Sequence, residues 1–91
     1  MTILNTLSDN IKTQFYGGME MVEYLGTRIQ NAREKKGLSA SEAAKLIGVS
    51  KSTWSLYESD KRTPSVETLK IIAEKLDVSM DYLVGLKKEM K

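Results

Sequence analysis

The chain has 91 residues and a mass of 10.2 kDa, with 41% hydrophobic residues, a net charge of +2 and a pI near 8.9. That is enough for one small domain with a modest core, and the mild positive charge permits an anionic partner without requiring one. With neither Cys nor His, a disulfide framework, a thiolate site, an ordinary zinc site and a His-based catalytic dyad are all excluded, so no catalytic residue, metal or cofactor is expected.

No apolar run approaches the roughly 20 residues that a membrane span needs. Ile3 to Leu7 is too short and too polar for the apolar region of a signal peptide. The absence of Cys points to a reducing, cytoplasmic setting. Helical periodicity dominates and strand alternation is nearly absent, so the expected class is all-α. From the N-terminus, Ile3 to about Tyr16 places Leu4, Leu7, Ile11 and Phe15 on one helix face, and Gly17-Gly18 ends it. A second helix is expected from about Glu20 to Lys36, with Val22, Leu25, Ile29 and Ala32 as its stripe and Gly37 as its stop. Ser39 and Glu42 form a capping box ahead of about Ala40 to Ile47, which Gly48 ends.

Ser50 then caps Lys51 to Ser59, and the stretch SDKRTP reads as a turn-rich loop. Ser65 caps Val66 to Leu76, whose stripe is Leu69, Ile72, Ala73 and Leu76. Ser79 caps a short helix from Met80 to Val84, closed by Gly85. The last five residues, 87–91, are expected to be a solvated tail.

The segment SKSTWSLYE, Ser50 to Glu58, has two unlike faces. At about 100° per residue, Thr53, Trp54, Tyr57 and Glu58 fall on one arc, and Lys51, Ser52, Ser55 and Leu56 on the opposite one. Large aromatics three apart on one helix face ordinarily bury. Stacking on bases would need cations among them, and the only cation of this segment lies on the other face. The polar face is either plain solvated surface or a contact surface. Ser and Thr are mediocre helix formers, so a face chosen for helix stability alone would favour Ala, Glu, Lys or Gln.

Ala40 to Tyr57 resembles the helix-turn-helix of the lambda-repressor-like, or Xre-type, family of bacterial and phage regulators. Ala44 matches the small contact residue of the motif's first helix, and Gly48, four residues on, the turn glycine. Val49 matches the apolar residue after the turn, and Trp54 takes a core position usually held by a branched apolar residue. The likeness extends through LGTRIQNAREKKGLS before the motif and YESDKRTPSVETLKIIAEKLDVSMDYLVG after it, covering about residues 22 to 86.

The resemblance implies a compact five-helix domain at residues 22–86, with the motif at 40–59, behind an N-terminal extension, residues 1–21, that adds a helix. It implies binding to double-stranded DNA as a transcriptional regulator, a repressor acting as a homodimer on an inverted repeat. The recognition helix would be 51–59, with Lys51, Ser52, Ser55 and Leu56 towards base edges. Phosphates would meet Ser39 and the backbone N–H groups of Ala40 and Ser41, with Thr53, Lys61 and Arg62. Arg33 and Glu58 would form a partly buried ion pair. The alternative is the antitoxin of a toxin–antitoxin pair, which uses the same domain and adds a protein partner.

Three positions depart from the family pattern. Ala40 stands where glutamine is common, which leaves only backbone to meet a phosphate there. Asp60 stands where glycine or asparagine is frequent; it tolerates the left-handed conformation, but its charge is unhelpful near phosphate. Leu56 is an apolar residue, expected to be exposed, at a position more often polar or basic. Residues 1–20 lie outside the resemblance. They are either a docking helix or a translated leader ahead of a start at Met19 or Met21.

Overall fold

A computed structural model describes residues 24–91. These form five α-helices and, among the described residues, no strand. They are α1 (Leu25–Lys35), α2 (Ala40–Ile47), α3 (Lys51–Glu58), α4 (Val66–Leu76) and α5 (Met80–Leu83). This is the five-helix architecture expected from the apolar spacing. The helix read at Ile3 to Tyr16 lies outside the described residues.

Four of the five helices begin at the serines that the sequence marks. Ser39, Ser50, Ser65 and Ser79 each accept a backbone N–H three residues on. Such a cap satisfies one of the donors a helix start leaves open and contributes about 1 kcal/mol. At α2 the box is complete, because Glu42 also accepts the Ser39 N–H at 2.7 Å.

The exception is α1. A continuous helix from Glu20 is interrupted by Tyr24, which has a left-handed φ of 63° and no side-chain cap of its own. The end of α1 follows the expected rule: Gly37 N–H donates to the Glu34 carbonyl at 2.9 Å and Leu38 N–H to the Arg33 carbonyl at 3.2 Å, closing the turn. Ends elsewhere differ from expectation by one residue, with Ser59 and Val84 serving as caps rather than helical positions.

The core is one contiguous cluster drawn from all five helices. Leu25, Ile29 and Ala32 of α1 meet Ala43, Ala44 and Ile47 of α2, Trp54 and Tyr57 of α3, Leu69, Ile72, Ala73 and Leu76 of α4, and Tyr82 and Leu83 of α5. Trp54 is fully buried, and its ring stands edge-on to Tyr57, with centroids 6.3 Å apart. Burial of both aromatics places them in the core, as their face predicts. A side chain of this size contributes several kcal/mol through the apolar area it removes from water.

The tail departs from expectation. Met90 is half-buried against the core, the Ser79 N–H donates to the Met90 carbonyl at 2.6 Å, and Lys91 reaches Asp77 at 2.7 Å. The four polar residues of KKEMK concealed its one apolar side chain. No helix of the described residues is long and apolar enough to cross a membrane.

Candidate nucleic-acid interface

α2 and α3 are joined by the three residues Gly48, Val49 and Ser50. Gly48 has φ 94°, and open space surrounds the position a Cβ would take, so glycine is required there by backbone conformation rather than by crowding. Its N–H and that of Val49 both donate to the Ala44 carbonyl, at 2.8 and 3.0 Å. Ala44 is buried where the two helices touch. The turn therefore holds α3 against α2 with one helix face inward and one outward.

On the outward face of α3, Lys51, Ser52 and Ser55 are exposed. Leu56 is only half-buried rather than fully exposed, which corrects the expectation of an open leucine. Thr53 is also half-buried; its hydroxyl oxygen accepts from the Ser50 hydroxyl at 3.0 Å, so its own proton is left to donate outward.

At the start of α2, Ser39 Oγ accepts the Glu42 N–H at 3.0 Å and Glu42 accepts the Ser39 N–H. Helix geometry leaves the Ala40 and Ser41 N–H groups without an intrahelical acceptor. These two donors, with the positive end of the helix, suit an anion. The Glu42 carboxylate opposes this by placing negative charge beside them.

After α3 the chain turns sharply. Asp60 takes a left-handed φ of 61°, and the Leu56 carbonyl accepts from Lys61 N–H at 2.9 Å and from Arg62 N–H at 3.2 Å. Lys61 and Arg62 are thereby held at the end of the recognition segment, exposed and, among the described residues, without an ion-pair partner. Asp60 itself has a role that its sequence position conceals. Its Oδ1 accepts the Gly26 N–H at 2.8 Å. Gly26 is the second residue of α1, so Asp60 supplies from 34 positions away the cap that Tyr24 lacks. The carboxylate is engaged by a helix N-terminus, which reduces its expected conflict with phosphate.

Gly26 allows this contact. A Cβ there would lie 2.4 Å from the Glu58 carbonyl oxygen and 2.8 Å from that of Tyr57. The start of α1 thus presses directly on the end of α3, and the opposite partial charges of the two termini attract.

Arg33 and Glu58 join the same elements through side chains. Arg33 Nε donates to Glu58 Oε2 at 2.6 Å and Nη2 to Oε1 at 3.2 Å, with both side chains 14% exposed. Two further bonds escape the helical wheel. Trp54 Nε1 donates to the same Oε2 at 2.7 Å, and Arg33 Nη1 donates to the Leu38 carbonyl at 2.9 Å. The buried indole N–H is satisfied four residues along its own helix, a spacing visible in the sequence. The hydrogen bond to Glu58 holds the Arg33 guanidinium above its ordinary pKa, against the opposing effect of burial, so the charge is permanent. One guanidinium therefore ties the residue preceding the α2 cap to the last residue of α3.

The chain matches the Helix-turn-helix family model HTH_3 over residues 29–83 and belongs to that family. It is 40% identical over 62 residues to the HTH-type transcriptional regulator AnsR of Bacillus subtilis, covering 68% of this chain and 53% of that protein. It is 41% identical over 66 residues to the regulator SinR of Bacillus subtilis, covering 71% of this chain and 60% of that protein. The chain thus spans about half to three-fifths of these relatives' length.

Among solved structures, that of SinR in complex with DNA superposes with a TM-score of 0.62 and 41% identity, covering 66% of this chain and 97% of that one. The P22 c2 repressor in complex with a synthetic operator superposes with a TM-score of 0.63 and 31% identity, covering 67% of this chain and 92% of that one.

Proposed function

We propose that this protein is a sequence-specific, double-stranded DNA-binding transcriptional regulator, a repressor whose recognition helix α3 enters the major groove. The observation that carries this reading is the outward face of α3, with its small polar residues and one cation, flanked by two phosphate-suited features. Those are the N-terminus of α2 and the Lys61–Arg62 turn. Lys51 donates to guanine O6 and N7, Ser52 and Ser55 make less discriminating hydrogen bonds, and half-buried Leu56 offers an apolar edge to a thymine methyl.

Ser39, the Ala40 and Ser41 N–H groups, Thr53, Lys61 and Arg62 meet phosphates and fix the register. Repression then follows from occupancy alone, and no catalytic step is required. The protein acts in the cytoplasm, on the nucleoid when bound, as a homodimer whose twofold axis matches an inverted repeat. An antitoxin would share this interface and add a protein toxin.

The test compares two substitutions over a salt titration on duplex DNA. Lys51→Ala is expected to relax base preference at one position per half-site. Lys61→Ala is expected to weaken all sequences alike and to flatten the plot of log affinity against log salt by roughly 0.9 for the lost phosphate contact. Wild-type protein with no salt-dependent affinity for any duplex would overturn the reading.

A further inference from the structure

A groove of about 460 Å³ lies between α1 and the segment leaving α5, away from the motif's two helices. Tyr24 and Leu86 line it and are 62% and 75% exposed, among the most open large hydrophobic side chains of the described residues. Lys87 and Lys88 stand at the same groove, as does Arg28, whose guanidinium lies 5.9 Å from the centre of the Tyr24 ring. The surface is apolar with a basic rim. An open apolar pair of this kind usually marks a contact surface.

Three observations identify the occupant. The groove begins at Tyr24, the residue that follows the N-terminal segment, so that segment is tethered at its mouth. The segment carries Leu4, Leu7, Ile11 and Phe15 at helical spacing. Residues 1–23 hold Asp9, Glu20 and Glu23 against the single base Lys12, so their charge complements the rim. The residues between Tyr16 and Tyr24 span at most about 28 Å when extended, ample to fold back. A tether this short gives an effective concentration in the millimolar range, so a weak contact suffices.

We infer that residues 3–16 dock in this groove of their own chain, through the face formed by Leu4, Leu7, Ile11 and Phe15. The inference is independent of DNA binding.

Because the chain has no Cys, a nitroxide can be placed at a single site by Ser8→Cys in the full chain and its effect read on backbone amide signals. The expected result is loss of the Tyr24, Tyr82 and Leu86 signals, with α2 and α3 signals retained. The loss should disappear with Ile11→Asp, and with Leu86→Lys, a substitution on an open side chain that leaves the fold intact. Unchanged groove signals would overturn the inference. So would a loss centred on α3, or one that survives both substitutions. Loss in an isotope-labelled, nitroxide-free chain mixed with unlabelled nitroxide-bearing chain would assign the groove to a second copy and overturn docking within one chain.

Discussion

Glu58 is the residue on which most of the site's geometry converges. Its carboxylate accepts from Arg33 twice and from the buried indole of Trp54. Removing it leaves a guanidinium and an indole N–H without their acceptor, whereas removing Arg33 leaves Trp54 satisfied. Glu58→Ala is therefore expected to cost about 3–5 kcal/mol and Arg33→Ala less, in urea denaturation followed by circular dichroism. Arg33→Lys should behave like a loss, because an ammonium cannot reproduce the planar fork that reaches Glu58 and Leu38 together. Equal stability of wild type and Glu58→Ala would contradict this account.

Asp60 offers a second test. Asp60→Asn keeps an acceptor and tolerates the left-handed turn, so it should change stability by less than about 0.5 kcal/mol. Asp60→Ala loses the cap on Gly26 and strains the backbone, for a combined cost of about 2 kcal/mol. The two variants melting together would exclude the remote cap.

At the scale of elements, the contact between α1 and the end of α3 sets how the recognition helix sits. Gly26→Ala inserts a methyl group against the Glu58 and Tyr57 carbonyls. Backbone cannot yield as a flexible side chain can, so a destabilisation of about 1–3 kcal/mol is expected. Chemical shifts should change at the α3 terminus and the Lys61–Arg62 turn, and shifts confined to α1 would contradict the proposed packing.

The docked tail gives a pH test. Lys91 hydrogen-bonds Asp77 and holds its carboxyl below the usual carboxylate range. A lowered folded-state pKa contributes stability that is fully present above the unfolded value near 3.9 and is lost as pH falls through the folded value. Amide exchange at Ser79 should thus be insensitive to this pair between pH 5 and 7, after allowance for intrinsic rates. Protection should weaken only in stronger acid, and both groups are exposed enough that the effect is small.

At the scale of the whole molecule, what the sequence could reveal follows the range of the interaction. Local rules located four helix starts through Ser39, Ser50, Ser65 and Ser79, because a serine cap acts within three residues. Periodicity separated Trp54 and Tyr57 from Lys51, Ser52 and Ser55, because helix geometry fixes the two faces. The start of α1 was not legible, since Asp60 caps it across 34 positions. Met90 was hidden because one apolar residue among polar neighbours has no period. The contacts of Arg33 with Leu38, and of Trp54 with Glu58, depend on side-chain reach within a finished core.

These concealed contacts join α1, the α2 start and the α3 end into one rigid support for the outward face. The central claim is that this face reads base sequence. It is tested most directly by selecting bound duplexes from a random-sequence pool with the full chain. The account predicts an enriched inverted repeat with half-sites about 34 Å apart, one turn of the double helix, and loss of one conserved base pair per half-site with Lys51→Ala. Recovery of no common sequence, or of the same sequence with equal stringency by Lys51→Ala, would contradict it.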